Sequence, residues 1–407
     1  LHDLLDRVLR PGDFVLFKAS RTLGLERAAE RLLESVAPAR LVVDLDAVRQ
    51  NFHAIRRHVG NGAGFIAVVK SFGYGNDSSR VSQTLVREGV DALAVAYADE
   101  GIPLRQRGLE LPILVTNALA SEADKIVKYD LTPFVYSDGV VDALRREAKR
   151  HDKVVPVHVE VDTGMNRVGI SPARAADFVA DIDAYPELDV EGLLTHFAAA
   201  DDPAEDDFTE RQLRAFQEVI DELAARGIEP AIIHAANTAA AWRWPQARYD
   251  RVRVGLGLYG LSPSSAVAQA TGDIRPALSF TTQVIHVHDV EAGETVGYNR
   301  TWRADEPTTL ATIAIGYNDG FPRFMSNGGE VLLHGQRCPV VGSVCMDVSM
   351  VDVSRLNGVE VGDEVVVFGS QDGARISADE IARRGETINY EILCNISPRV
   401  RRIFVRE

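Results

Sequence analysis

The 407-residue chain is 46% hydrophobic and 25% charged, with a net charge of −15 at neutral pH. That composition suits a globular protein long enough for two domains with sizeable cores, and its acidity argues against nucleic acid or an anionic membrane surface as partner. No apolar run approaches a membrane span and no signal peptide opens the chain, while three cysteines (Cys338, Cys345 and Cys394) exclude a disulfide framework and favour a reducing cytosol.

Residues 1 to about 38 stand apart from the rest of the chain. Leu1, Leu4, Leu5, Val8 and Leu9 fit a helical face, Pro11-Gly12-Asp13 a turn, Phe14 to Lys18 a strand, and Leu23 to Val36 a second amphipathic helix. The stretch LRPGDFVLFKASRTLGLERAAERL resembles the tail of the bacterial muramyl ligases that attach D-alanyl-D-alanine to a cell-wall precursor. An ordinary helical extension accounts for the same pattern. The chain begins at Leu1 rather than a methionine, which leads us to expect an upstream portion.

From Leu41 the chain alternates. An opening strand and helix reach Val59, and apolar runs come after it at 65–70, 92–97, 112–116, 131–135, 155–162, 190–196, 231–236 and 251–257, with helical patterns between most of them. Eight short runs with intervening helices predict an α/β fold, a parallel (β/α)8 TIM-like barrel; a doubly wound open sheet is the competing topology. After Pro276 short alternating strands such as Gln283 to Val287 and Val365 to Phe368 alternate with Gly and Asp turns, which predicts a mostly β C-terminal domain. The expected division is an N-terminal extension over 1–38, the barrel over 39–273 and the β domain over 274–407.

Polar residues collect where the barrel strands should end. Lys70 closes the run Phe65 to Val69 and is followed by Gly73-Tyr74-Gly75, a turn that needs unusual backbone angles. A lone lysine there would read as one snorkelling to the rim of a sheet, but Lys70 has company. Asp162 to Arg167 follow the fifth run, Thr195-His196-Phe197 end the sixth, His234 to Thr238 end the seventh, and Arg253 to Gly257 close the eighth. Gly255-x-Gly257-x-x-Gly260 spells a dinucleotide fingerprint, yet Pro263 and small residues follow where that motif needs a helix. A phosphate site after the last barrel strands explains these glycines better. A carbonyl-reactive lysine facing a phosphate site suggests pyridoxal phosphate. The ten histidines form no HExxH pair, and no metal is expected.

The segments AVVKSFGYGN, VDTGMNRVG, THFA, HAANTAA, RVRVGLGLYGLSPS, VGYNRTW, IGYNDG, VGSVCMD and INYEILCNISPRV resemble alanine racemase in that family's order, over about residues 39 to 407. The resemblance implies a barrel followed by a β domain, pyridoxal 5'-phosphate as cofactor, and a cytoplasmic homodimer whose active sites are each made by both subunits. It implies two-base interconversion of L- and D-alanine, supplying D-alanine for peptidoglycan. By position, Lys70 matches the lysine that holds the cofactor and acts as base on one face of the substrate. Tyr298 matches the second base, delivered from the partner subunit. Tyr74, Asn237, Thr238, Gly255, Leu256 and Tyr390 match contacts to the cofactor and its phosphate, Arg253 the arginine at the pyridine nitrogen, and His196 the histidine that orients it. Arg167 and the Met346 N–H match groups that bind the substrate carboxylate, while Tyr317 and Arg323 resemble the lining of the access path.

Three positions depart from the family pattern. Glu160 replaces a lysine that is carbamylated in many relatives, and is expected to supply an unmodified carboxylate that orients Arg167. Asn76 replaces a histidine and Ser343 an arginine, both expected to alter the electrostatics of the access path. Other functions fit less well. Tyr390 would crowd the larger side chains of a broad-specificity racemase. A cofactor carrier built on a single barrel would lack Tyr298, and a fold-related decarboxylase would place an acid where Arg253 stands.

Overall fold

The computed structural model describes residues 38–405 apart from 271 and 273, so the helices, turn and strand expected before Val36 lie outside the described residues. A strand, β1 (Arg40–Asp44), leads into a helix over Leu45–Val59 whose first turn is capped by Asp44, its carboxylate accepting the Ala47 N–H at 2.8 Å. The eight apolar runs then form β2 (Gly64–Val68), β3 (Ala92–Val95), β4 (Ile113–Val115), β5 (Thr132–Val135), β6 (Val155–Val161), β7 (Leu188–Thr195), β8 (Ile232–His234) and β9 (Arg251–Val254). All their pairings are parallel, and the order runs from β8 through β2 to β9. Backbone bonds from Asp250 N–H to Ile233 O (3.0 Å) and from Arg253 N–H to Ala236 O (2.9 Å) bring β9 back against β8. The sheet closes on itself as a barrel, and the open-sheet alternative falls away.

Burial explains why uninterrupted apolar runs became strands. Every residue of β3, β4 and β5 is buried, because one face meets the barrel interior and the other the surrounding helices. Ile66, Ala92, Ala94, Leu114, Phe134 and Leu194 form one interior cluster of mixed small and large side chains. The helices show the complementary period: along Asp206–Ala225 the buried positions are Thr209, Gln212, Phe216, Val219 and Leu223.

The chain divides into two units. One joins Val43–Leu278 to the short return segment Ile388–Cys394 and to Phe404 and Val405; the other takes Ser279–Thr387 and Asn395–Ile403 with the described residues up to Val42. The second is mostly β, as its turn-rich texture predicts. Its strands include β10 (Leu278–Val290), the hairpin β11 (Thr295–Val296) with β12 (Trp302–Arg303), β13 (Thr308–Ile313), β14 (Glu330–Leu333), β15 (Gln336–Val341), β16 (Ser349–Asp352), β17 (Glu364–Gln371), β18 (Ala374–Ile376) and β19 (Arg401–Val405). One sheet of nine strands runs in the order β18-β17-β14-β15-β16-β13-β10-β1-β19. Val365 to Phe368 differ from the expected alternation: all four are buried, so this part of β17 is covered on both faces, with β10 and β14 paired along its edges. No helix among the described residues is long and apolar enough to cross a membrane.

Candidate active site

A cavity of about 600 Å³ opens at the carboxyl ends of the barrel strands. Its walls carry Lys70, Tyr74, Glu160, Arg167, His196, Asn237, Thr238, Arg253, Gly255 and Tyr390, so residues singled out on separate loops of the sequence share one site. Tyr390 comes from the Ile388–Cys394 segment, which packs with the barrel.

Lys70 is set by an unusual turn. Ser71, Phe72, Gly73, Tyr74 and Gly75 all have φ between 54° and 81°, one left-handed helical turn with bonds from Gly73 N–H to Val69 O and from Gly75 N–H to Ser71 O, both 2.8 Å. The glycines were expected to supply such angles, but Ser71, Phe72 and Tyr74 share them at a cost of roughly 1–2 kcal/mol each. Three polar side chains hold the turn, Asn76 and Tyr259 from the interior and the half-buried Glu100 from outside. The Asn76 amide donates to Gly73 O (2.9 Å) and Tyr74 O (3.1 Å), the Tyr259 hydroxyl donates to Gly73 O (2.8 Å), and Glu100 accepts the Ser71 N–H (3.0 Å). Asn76 is fully buried, which corrects its expected place on the access path: it is a clamp inside the turn.

The Lys70 amine makes no hydrogen bond among the described residues. Burial lowers its pKa, Arg167 pushes the same way, and Glu100 opposes them. More of the amine is therefore neutral near pH 7 than for a solvated lysine, as a nucleophile or base requires.

At the other end of the cavity, hydroxyls face a glycine. The Gly255 N–H donates to Thr238 Oγ1 at 3.1 Å, and a Cβ on Gly255 would lie 2.1 Å from the Tyr74 hydroxyl. Leu256 is buried directly after it at the start of a short turn, and Asn237 caps the next helix by accepting the Ala240 N–H at 3.0 Å. The Tyr74 and Tyr390 rings lie 5.9 Å apart, and neither hydroxyl has a protein partner among the described residues. Burial pushes the Tyr74 phenol well above its usual range and Tyr390 up to about 12, so both remain donors. Gly255→Ala should therefore displace Tyr74 and weaken pyridoxal phosphate binding by about 10- to 100-fold, from an overpacking cost of about 1–3 kcal/mol. Titration of the cofactor into cofactor-free protein checks this; an unchanged dissociation constant would remove Gly255 from the cofactor's surroundings.

Arg253 rises from β9 into the barrel interior. Its Nη1 is 2.9 Å from His234 Nδ1 and donates to His234 O at 3.0 Å. Its Nη2 is 3.1 Å from His196 Nδ1 and donates to Thr195 O (2.8 Å) and Ala235 O (3.0 Å). Both terminal amines are spent, and Nε–H is left with no partner among the described residues. Burial lowers this guanidinium to about 10, with Glu160 opposing, so it stays protonated at neutral pH. The donor set fits pyridoxal phosphate: partnerless hydroxyls at one end, a donor-only cation with one unspent N–H, and a half-buried lysine.

Glu160 is buried, not solvent-facing, at 4% exposure. Its Oε1 lies 3.9 Å from Arg167 Nη2, an electrostatic contact rather than the expected orienting hydrogen bond. Burial pushes its carboxyl up to about 7, against the pull of Arg253 and Arg167. The native state then holds this proton more tightly than the unfolded chain, whose glutamates titrate near 4.3. Stability falls as pH rises from the lower value to the upper one, and is level above it. Glu160→Gln should thus gain on the order of 3 kcal/mol over the parent at pH 8 relative to their difference at pH 4. Urea unfolding of both cofactor-free proteins at the two pH values measures it; a pH-independent difference would mean that Glu160 is not held protonated.

The remaining expected residues lie in the other unit. Tyr298 sits in the β11–β12 hairpin loop at 69% exposure. Ser343 is buried there and its hydroxyl donates to the Tyr298 carbonyl at 3.3 Å. Tyr317 and Met346 are exposed on two loops zipped together by bonds from Tyr317 N–H to Cys345 O and from Asn318 N–H to Met346 O, both 3.0 Å. Arg323 donates to Val344 O at 3.2 Å. Sequence reasoning passed over His158, which lies inside the barrel against His234; its signal was its place two residues before Glu160, on the same face of β6.

Two family models match the chain: the alanine racemase N-terminal domain over residues 43–263 and the alanine racemase C-terminal domain over residues 277–404. It is 39% identical over 361 residues to an alanine racemase of Halothermothrix orenii, covering 88% of this chain and 95% of that one. It is 40% identical over 373 residues to the alanine racemase of Symbiobacterium thermophilum, covering 91% and 98%. Among solved structures, alanine racemase of Clostridium difficile 630 superposes with a TM-score of 0.87 at 34% identity, over 91% of this chain and 97% of that one. That of Bacillus anthracis with bound L-Ala-P gives 0.85 at 35% identity, over 91% and 96%.

Proposed function

The chain belongs to the alanine racemase family, and from that premise we propose that it interconverts L- and D-alanine with pyridoxal 5'-phosphate, supplying D-alanine for peptidoglycan. The observation that carries this reading is the pairing in one cavity of a half-buried lysine with an arginine that has a single N–H unspent. When bound, the cofactor withdraws electrons from the substrate's α-carbon and makes its hydrogen acidic. The residues do the rest. Lys70 Nζ moves the α-proton on one face, and the phenol oxygen of Tyr298 of the partner subunit moves it on the other. Two bases are needed because one face loses a proton while the other gains one. His196, held neutral by burial, lines the cavity and meets Arg253 Nη2 through its Nδ1. Arg253 can donate but not readily give up a proton, which restrains electron withdrawal and the side reactions it would allow. Arg167, and the Met346 N–H of the partner subunit, hold the substrate carboxylate.

Shared sites require a homodimer. Exposed apolar groups support one: Tyr298 in one unit, and in the other Phe72, 66% exposed two residues after Lys70. The three cysteines are unpaired, which supports a cytoplasmic setting. The decisive experiment follows L-alanine in heavy water with and without added cofactor. Loss of optical rotation together with deuterium at the α-carbon is expected. Alanine that keeps both its rotation and its α-hydrogen in the loaded enzyme would overturn the reading.

A further inference from the structure

Behind Arg253 the barrel interior holds a row of side chains to which the racemisation chemistry gives no role. His234 takes Arg253 on its Nδ1, its Nε2 is 2.8 Å from His158 Nδ1, and His158 Nε2 is 3.1 Å from Glu191 Oε2. Both imidazoles are fully buried, with the Phe134 ring 5.9 Å from His158 and 5.7 Å from His234. Chemistry dictates the direction of every bond in the row. A guanidinium only donates, so His234 Nδ1 accepts. Burial lowers both histidines, so each is neutral and carries one ring proton. The His234 proton is therefore on Nε2, His158 Nδ1 accepts it, and the His158 proton is on Nε2, donated to the carboxylate of Glu191.

The backbone is built around this row. Val157 of β6 lies opposite Val190 of β7, but His158 lies opposite Gly192, so Glu191 is the extra residue of a bulge. Bulges re-aim side chains, and this one turns a strand glutamate onto a buried ring. Gly192 has no room for anything larger: a Cβ there would lie 2.3 Å from His158 Nδ1.

We propose that Glu191 is a positioning residue for racemisation: as terminal acceptor it locks His158 and His234 in their Nε2–H tautomers, holding a lone pair against Arg253 in the orientation that leaves Nε–H for the cofactor. Without that acceptor the row can invert, and an N–H on His234 Nδ1 would face the N–H of Arg253, donor against donor. The inference rests on the racemase reading for its consequence, but the tautomers are read without turnover.

Protein labelled with 15N-histidine is compared as wild type, Glu191→Leu and Glu191→Gln, with and without pyridoxal phosphate. In wild type both buried rings should carry their proton on Nε2 alone. Glu191→Leu should show mixed tautomers, a shifted visible absorbance of the bound cofactor, and a kcat lowered about tenfold with little change in KM for alanine. Glu191→Gln, whose amide oxygen still accepts, should restore the tautomers and most of kcat. A wild-type ring protonated on Nδ1 or on both nitrogens overturns the proposal, and decides it even where Glu191→Leu does not fold. So does a Glu191→Leu protein that loses activity with its tautomers unchanged, which would be a packing effect. Wild-type tautomers as described in a protein that does not racemise alanine would instead sink the racemase reading.

Discussion

Lys70→Ala is expected to abolish racemisation and, with it, both the visible absorbance of the bound cofactor and borohydride trapping of label on the peptide that contains residue 70. Loss of a positioned base alone is worth about 10²- to 10⁴-fold, and loss of the covalent anchor adds to it. Burial and, after it, Arg167 lower the Lys70 pKa toward the neutral amine that both roles need, and neither depends on the cofactor. Alanine should leave the fold intact, because the Lys70 amine makes no hydrogen bond among the described residues and the turn after it is held by Asn76, Tyr259 and Glu100. Peptide mapping after reduction is the measurement. Label recovered on any other lysine would remove Lys70 from the centre of the site.

Tyr298→Phe should be nearly as damaging, lowering kcat by about 10²- to 10⁴-fold because one face of the substrate loses its base. The sharper experiment mixes the two variants. If each site takes Lys70 from one subunit and Tyr298 from the other, a hybrid dimer has one site with neither base and one with both. Half of the dimers are hybrids after random exchange, so activity should recover to roughly a quarter of the wild-type value. The resemblance to the family's shared site motivates this arrangement, and Tyr298, at 69% exposure, is accessible to a second subunit. Hybrid formation is followed independently by mass spectrometry of intact dimers. Hybrids without recovered activity would mean that both bases belong to one chain.

Much of the molecule was legible in the amino-acid order alone. Strands buried on both faces read as near-continuous apolar runs, so β2 to β9 announce themselves as runs, a few of them carrying single polar residues, broken by helical periods. In such a barrel the carboxyl ends of the strands carry the chemistry, so Lys70, Arg167, His196, Thr238 and Arg253 could be gathered into one site from their places after the runs. Local pattern was sufficient because each signal spans only a few residues.

Tertiary structure decided the rest, for reasons that lie far apart in the chain. The left-handed turn at Ser71, Phe72 and Tyr74 runs against the preference of each residue; it exists because buried donors, among them Tyr259 at a separation of 186 residues, hold it there. Asn76 looked like a substitution on the access path until its amide was found inside that turn. Tyr390 reaches the cavity only because Ile388–Cys394 returns to the barrel unit after the β strands. Glu191 sits in β7, where alternation gives no hint of a partner, and one extra residue in the ladder aims it at His158, 33 residues earlier. Apolar runs are written locally because burial acts on each residue separately. Register, bulges and returning segments are not, because a hydrogen bond between distant residues exists only once the barrel has closed.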